Sequence, residues 1–323
     1  MGVCCLIRKV DLAELTWASG FFDGEGSTYL HCRADRTGYL RLGVSVPQRG
    51  HGEIPLVLRR FQKAVLGMGR IDPPSNEGIY VWRAGGFEEA QATVALLWAQ
   101  LGRAKRDQAH VAMHAVRAQY VGGRYDARRS RRPSNPHRRH GPALSAPLPS
   151  YLLDRSWAAG FLDAEGSFGL VASTPRKRGP VWCRIRASAT QHGIVGTPPE
   201  VLVKLKRVLG IGRIERHGEP DDFKWLVEGT PAVEAVLGIT SPWLGPRKVE
   251  QARRAVEAFA AQARLRGDAA HCLRGHRYDV EVIRAGRRRR FCNACGRITA
   301  RQRRAARGIK PRQFKNIARR YTF

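Results

Sequence analysis

Trp17-Ala-Ser-Gly-Phe-Phe-Asp-Gly-Glu-Gly-Ser27 returns almost unchanged as Trp157-Ala-Ala-Gly-Phe-Leu-Asp-Ala-Glu-Gly-Ser167. Each copy is an apolar helical stretch ending in Asp-x-Glu-Gly. Small residues stand mid-helix, Ala18-Ser19-Gly20 and Ala158-Ala159-Gly160, where a glycine costs about 1 kcal/mol relative to alanine. That cost is offset if the two copies pack on each other, because small side chains let two backbones approach closely. Glu25 and Glu165 then fall at adjacent helix C-termini, where the macrodipole is negative. Two carboxylates there repel each other and the dipoles. A hard divalent cation removes the conflict, and oxygen ligands with several retained waters are what Mg²⁺ prefers. An acidic turn closing a helix explains one copy. Two copies in register favour a metal site able to activate water against a phosphodiester.

The duplication runs well past the motif. Leu66-Gly-Met-Gly-Arg-Ile71 reappears as Leu209-Gly-Ile-Gly-Arg-Ile214, and Trp82 reappears as Trp225. Leu101-Gly-Arg-Ala-Lys-Arg-Asp-Gln108 returns as Leu244-Gly-Pro-Arg-Lys-Val-Glu-Gln251. The motifs are 140 residues apart and the later landmarks 143, which places three extra residues between Ser167 and Gln191, at a hairpin tip over 174–179. Two copies in one order fit a pseudo-symmetric pair rather than a solenoid. The expected organisation is a first repeat over 8–120, a basic Pro/Gly/Arg-rich linker over 121–150, a second repeat over 151–266 and a basic tail over 268–323. Arginine runs in the linker suit phosphate tracking and a solvated tether equally.

Within each repeat the periods are legible. After the motif helix, Leu40, Leu42, Val44 and Val46 alternate with Arg41 and Ser45. In the second copy Cys183, Ile185, Ala187 and Ala189 alternate with Arg184, Arg186, Ser188 and Thr190. Period-two alternation marks half-buried strands, here with arginines on the outer face. Leu58, Phe61 and Val65, matched by Leu202, Leu205 and Leu209, have helical spacing, with Gly67 and Gly210 placed as C-terminal caps. Each repeat reads as helix, hairpin, helix, hairpin, helices: an α+β unit.

Composition points the same way. Net charge is +30, from 57 Lys+Arg against 27 Asp+Glu, with pI near 11.1. Such a balance calls for a polyanionic partner. No apolar run long enough for a membrane span occurs, so no membrane partner is expected. Met1–Val10 lacks the apolar centre of a secretory signal. Seven cysteines, unevenly placed, suit a reducing compartment. A cytoplasmic location follows, and the Arg/Ala/Gly-rich usage suggests a GC-rich bacterial or phage genome.

The motif cores, Ala18-Ser-Gly-Phe-Phe-Asp-Gly-Glu-Gly26 and Ala158-Ala-Gly-Phe-Leu-Asp-Ala-Glu-Gly166, resemble the LAGLIDADG homing endonucleases in their double-motif, single-chain form. The resemblance covers about residues 8–260. It implies two αββαββα-like repeats whose motif helices form a pseudo-dyad, each with an antiparallel sheet lying over duplex DNA. It also implies Mg²⁺-dependent cutting of both strands at a non-palindromic site, by a monomer, in the service of intron mobility. The family's metal-binding acid falls on Glu25 and Glu165, while Asp23 and Asp163 match the earlier, more structural acid. The water-positioning polar residue matches Gln48 and Gln191, and the supporting base matches Lys105 and Lys248. Pro47 beside Gln48 is unusual, because proline removes a strand donor. DNA-reading positions on the strands fall on His31, Arg33, Arg41 and Arg70 in the first half and Arg184, Arg186 and Arg213 in the second. Each arginine suits bidentate contact to guanine or a phosphate contact equally.

The tail adds a second pattern. Cys272-Leu-Arg-Gly-His276 and Cys292-Asn-Ala-Cys295 are two ligand pairs flanking a hairpin over 280–291. Three cysteines and a histidine make a tetrahedral Zn²⁺ site, similar to the zinc ribbons appended to HNH-type nucleases, and structural because no HNH catalytic set is present. Arg297 to Arg320 reads as a partly helical basic stretch suited to phosphates. The expected function is thus a site-specific double-strand DNA endonuclease. A catalytically inactive DNA-binding regulator and an intron RNA maturase are the alternatives on the same scaffold.

Overall fold

A computed structural model describes residues 10–32, 40–121, 149–172, 183–194, 196–267, 276, 278–284 and 287–306. The expected 174–179 hairpin tip, nearly all of the linker, Arg33, Cys272 and the basic stretch after 306 lie outside them. Two compact units occur, Met1–Val256 and Glu257–Phe323.

The chain from Leu12 to Gly267 shows one element order twice, its last helix running past Val256. The first pass is α1 (Leu12–Glu25), β1 (Ser27–Cys32), β2 (Leu40–Arg49), α2 (Leu56–Ala64), β3 (Arg70–Asp72), β4 (Ile79–Ala84), α3 (Phe87–Leu97) and α4 (Arg103–Val121). The second is α5 (Ser150–Glu165), β5 (Gly166–Ala172), β6 (Cys183–His192), α6 (Glu200–Leu209), β7 (Arg213–Arg216), β8 (Asp222–Glu228), α7 (Thr230–Thr240) and α8 (Pro246–Gly267). The sheets are antiparallel, in the orders β1-β2-β4-β3 and β5-β6-β8-β7. This is the expected α+β architecture.

Helix α1 is buried almost all round, from Leu15 to Asp23, which is why no single apolar stripe marks it. Asp11 starts it, its carboxylate accepting from the Ala13 and Glu14 amides at 2.9 and 3.1 Å. Its partner is α5. A Cβ on Gly20 would overlap the Trp157 carbonyl, and one on Gly160 would overlap the Trp17 carbonyl. The mid-helix glycines are therefore required by backbone-to-backbone approach, as the small-residue pattern implied. Trp82 and Trp225 fill the space beneath the sheets, fully buried, each indole donating to a carbonyl in the preceding turn (Met68 at 3.0 Å, Ile211 at 3.1 Å).

Three details differ from expectation. Ser45 and Ser188 are buried, although alternation put them on the outer face. Both lie on central strands β2 and β6, covered by neighbours on either side. Helix α6 ends at Gly210 in the left-handed region, φ 68°, but α2 ends earlier and Gly67 is not its cap. Leu66 instead adopts φ 61°, followed by Gly67 at 77°. The reason is a register change: α2 and α6 begin 144 residues apart, at Leu56 and Glu200, while the strands after them stay 143 apart. The first repeat absorbs its extra residue in the turn, at the cost of a left-handed leucine.

The second unit contains the hairpin β9 (Val280–Arg284) and β10 (Arg287–Phe291), then α9 (Asn293–Ala306). The hairpin falls where the sequence placed it, whereas the helix begins four residues earlier than expected, at Asn293 inside the Cys292–Cys295 pair. Among the described residues no helix is long and apolar enough to cross a membrane.

Candidate functional site

Glu25 and Glu165 are the last residues of α1 and α5, so the close packing of the two helices also brings together their two negative ends. A Cβ on Gly24 would come within 3.0 Å of Glu165 Cγ. Gln48 donates its amide to Glu25 Oε1 at 2.8 Å, and Gln191 donates to Glu165 Oε1 at 2.7 Å. Both glutamines come from the inner strands β2 and β6. Pro47 does not disturb this, because β1 stops pairing at Ser45 and leaves only β4 alongside Pro47.

Lys105 and Lys248 lie in the first turns of α4 and α8 and donate to the Gly26 and Gly166 carbonyls just past the motif helices. The structure thus gathers all six residues singled out for catalysis into one two-fold constellation. Burial raises the Glu25 carboxyl above its usual range. Burial, then the charge of Glu25, pushes Glu165 up to about 7, against the pull of Lys105 and Lys248. Burial also lowers both ammonium groups, against nearby carboxylates. These are half-buried charges that act on one another, with only oxygen donors on the acidic side, a donor set that fits a hard divalent cation.

Beneath this layer sits a crossed one. The Trp17 indole donates to Asp163 Oδ2, and the Trp157 indole to Asp23 Oδ2, both at 2.8 Å. Each aspartate also accepts from the backbone ahead of α4 or α8: Asp23 from Gly102 at 2.9 Å, Asp163 from Gly245 at 2.9 and 2.8 Å. Burial raises both to about 6, with those hydrogen bonds opposing it. Arg60 and Lys204 cover the two indoles at 3.9 and 4.0 Å. Asp23 and Asp163 therefore tie the helices and the following helix starts together, a role in structure. Sequence reading missed Arg60 and Lys204, and the only signal was their shared place on amphipathic α2 and α6.

The outer sheet faces carry the remaining predicted positions other than Arg33, which lies outside the described residues. His31, Arg41 and Arg184 are exposed. Arg70 is exposed but bonded to Asp72 at 2.9 Å. Arg186 departs from the exposed position expected of it. It is half-buried and bonded to Glu228 at 2.6 Å. Arg213 reaches Glu215 and Glu228 at 3.2 and 3.3 Å. Arg83, not singled out before, contacts Asp72 at 2.9 Å and donates to the Tyr29 hydroxyl at 2.9 Å.

This arrangement of paired motif helices and two four-stranded sheets is shared with solved structures. The meganuclease I-AabMI, bound to uncleaved DNA, aligns with TM-score 0.56 and 16% identity over 77% of this chain and 91% of its own. I-LtrWI, bound to target DNA, gives 0.56 and 13% over 78% and 92%. I-SmaMI, bound to uncleaveable DNA, gives 0.57 and 14% over 81% and 93%. The fold is that of the LAGLIDADG homing endonucleases. No protein-family model and no curated protein matches the chain. At these identities the likeness is one of LAGLIDADG fold, and the chemistry has to be argued from the residues themselves.

In the second unit, ligand atoms of His276, Cys292 and Cys295 lie within 4.8 Å of one another. His276 Nδ1 is 3.4 Å from Cys295 Sγ, and the Cys295 amide points at Cys292 Sγ at 3.4 Å. Sulfur and imidazole nitrogen at such separations fit a thiophilic ion. The expected fourth ligand, Cys272, lies outside the described residues.

Proposed function

We propose that the chain is a site-specific double-strand DNA endonuclease acting as a single-chain monomer on a non-palindromic site. The observation that carries this is the coupled Glu25–Glu165 pair, each held by its own glutamine and flanked by its own lysine. Net charge +30 and the arginine-bearing sheets support a DNA partner, as do the DNA-bound states of the structural neighbours.

Glu25 and Glu165 would hold Mg²⁺, which when bound supplies Lewis acidity toward a phosphodiester oxygen. Gln48 and Gln191 fix the carboxylate rotamers and hold their amides beside the reacting region, where water would be oriented. Lys105 and Lys248 keep two positive charges in a dehydrated site, where they favour the charge that develops on phosphate oxygens. The two-fold arrangement gives each strand its own set of side chains. In the tail, His276, Cys292 and Cys295, with Cys272 as fourth ligand, would hold a structural Zn²⁺.

A cleavage assay on a pool of random duplexes, with Mg²⁺ or Ca²⁺, tests the reading. Discrete Mg²⁺-dependent double-strand cuts are expected, and Glu25→Gln/Glu165→Gln should remove them while leaving DNA binding intact. Selective binding with no cutting by wild type would instead establish the regulator, and preference for structured RNA the maturase.

A further inference from the structure

The two sheets differ chemically at one equivalent cross-strand site. In the first repeat Tyr29 stands opposite Gly43, and a Cβ on Gly43 would come within 2.6 Å of the Tyr29 ring. In the second repeat the same partners are Gly169 and Arg186. Bulk has moved from outer strand to inner, and a phenol has been replaced by a guanidinium. The next strand follows suit. Glu228 of β8 pairs with Arg186, whereas its first-repeat counterpart by the 143-residue offset is Gly85, which has no side chain.

Glu228 Oε1 accepts from Arg186 Nε and Nη2 at 3.1 and 2.6 Å. Its Oε2 lies 3.3 Å from Arg213 Nη2 and 3.6 Å from Arg184 Nη1. A carboxylate facing three guanidinium groups has little acceptor capacity left, so it is not itself suited to reading a base. Its effect is on Arg186. A free arginine keeps considerable rotamer freedom, which favours opportunistic phosphate contact over a fixed base edge. With two donors already tied, the guanidinium is held in one orientation and still has donors for the O6 and N7 acceptors of guanine. The negative charge beside it also weakens its attraction to phosphate.

We infer that Glu228 is a positioning residue that sets Arg186 to read a guanine in the second half of the DNA site. The Tyr29–Gly43 pair leaves the symmetry-related position of the first half without that preference. The inference rests on the endonuclease reading and names the residues behind its unequal half-sites.

The test is selection of bound duplexes from a random pool by the full chain in Ca²⁺, followed by sequencing, for wild type, Glu228→Gln and Arg186→Ala. Wild type should recover a motif with one guanine position that both variants lose, by about tenfold in preference, the scale of one bidentate contact. All other positions should persist, and Glu228→Gln should bind bulk competitor DNA more tightly. A thermal melt of each variant shows whether it is folded. Guanine preference retained in folded Glu228→Gln, or a uniform loss across the motif, overturns the Glu228 assignment alone. No motif from wild type overturns the endonuclease reading and this inference with it.

Discussion

The helix seam and the sheet faces are built by the same duplicated sequence, yet they treat it in opposite ways. At the seam the closest contacts are mirrored: Gly20 under the Trp157 carbonyl and Gly160 under that of Trp17, with two crossed indole–aspartate bonds at the same 2.8 Å. One bond is not, since Ser156 donates across to the Ala13 carbonyl while its counterpart Thr16 donates to Leu12 in its own helix. On the outer sheet faces the mirror holds for the Arg70–Asp72 and Arg213–Glu215 pairs but fails beside them. Tyr29 and Gly43 face Gly169 and Arg186, and Glu228 has no acidic counterpart. A surface that packs against its own copy must match it. A surface aimed at an outside molecule is free to differ, and the degree of difference locates that molecule.

The largest break in this comparison comes from the seam. Gly20→Leu drives a side chain into the Trp157 backbone and should cost about 3 kcal/mol or more. It should appear as a fall in urea midpoint for the first unit as a whole, because the seam belongs to both repeats.

Next in size is Glu165→Gln. Its folded carboxyl holds a proton up to about pH 7, whereas the unfolded one ionises near its ordinary value. The folded state therefore binds more protons in that window, and stability falls as pH climbs through it. The amide variant escapes this loss. Its unfolding free energy should exceed that of wild type at pH 8 by on the order of 2 kcal/mol and match it at pH 4, read from urea midpoints. Added Mg²⁺ should raise the wild-type midpoint at pH 8 and leave Glu25→Gln/Glu165→Gln unmoved.

The second unit should answer to metal alone. A Zn²⁺ chelator or Cys292→Ser is expected to abolish its hairpin and helix signals, read by hydrogen exchange, without changing protection in α1 and α5. The smallest effects lie on the sheets. Arg41→Ala should weaken DNA binding and lower the salt slope by about one. Arg184→Ala should lower it by less, because Glu228 already offsets part of that charge.

The seam was legible because its cause is local: small residues at helical spacing beside apolar ones. The Glu25–Glu165 pair followed from the same helices, whereas Gln48, Gln191, Lys105 and Lys248 came only from the resemblance to the LAGLIDADG family. The crossed bonds were not legible, because nothing in either motif says that Trp17 reaches Asp163 rather than Asp23. That exchange depends on the crossing of two helices. Glu228 was hidden for a different reason. A single acid among many arginines has no period, and only strand register puts it across from Arg186. The extra residue at Leu66 shows in the sequence as a conflict, since Leu209 matches Val65 by helical spacing and Leu66 by the Leu-Gly-x-Gly stretch, and the α2 and α6 starts settle it.

The crossed bonds also set a timetable. Trp17 needs Asp163, a residue 146 positions further along. At ribosomal speeds of about 5–20 residues per second, the first repeat waits roughly 7–30 s for its partner to emerge. Throughout that interval α1 can pack on α2 and α3 of its own repeat, but the face that α5 will cover, with Gly20 at its centre, stays open. Production of this chain in a foreign host should therefore improve when synthesis of the second half is fast or holding chaperones are abundant.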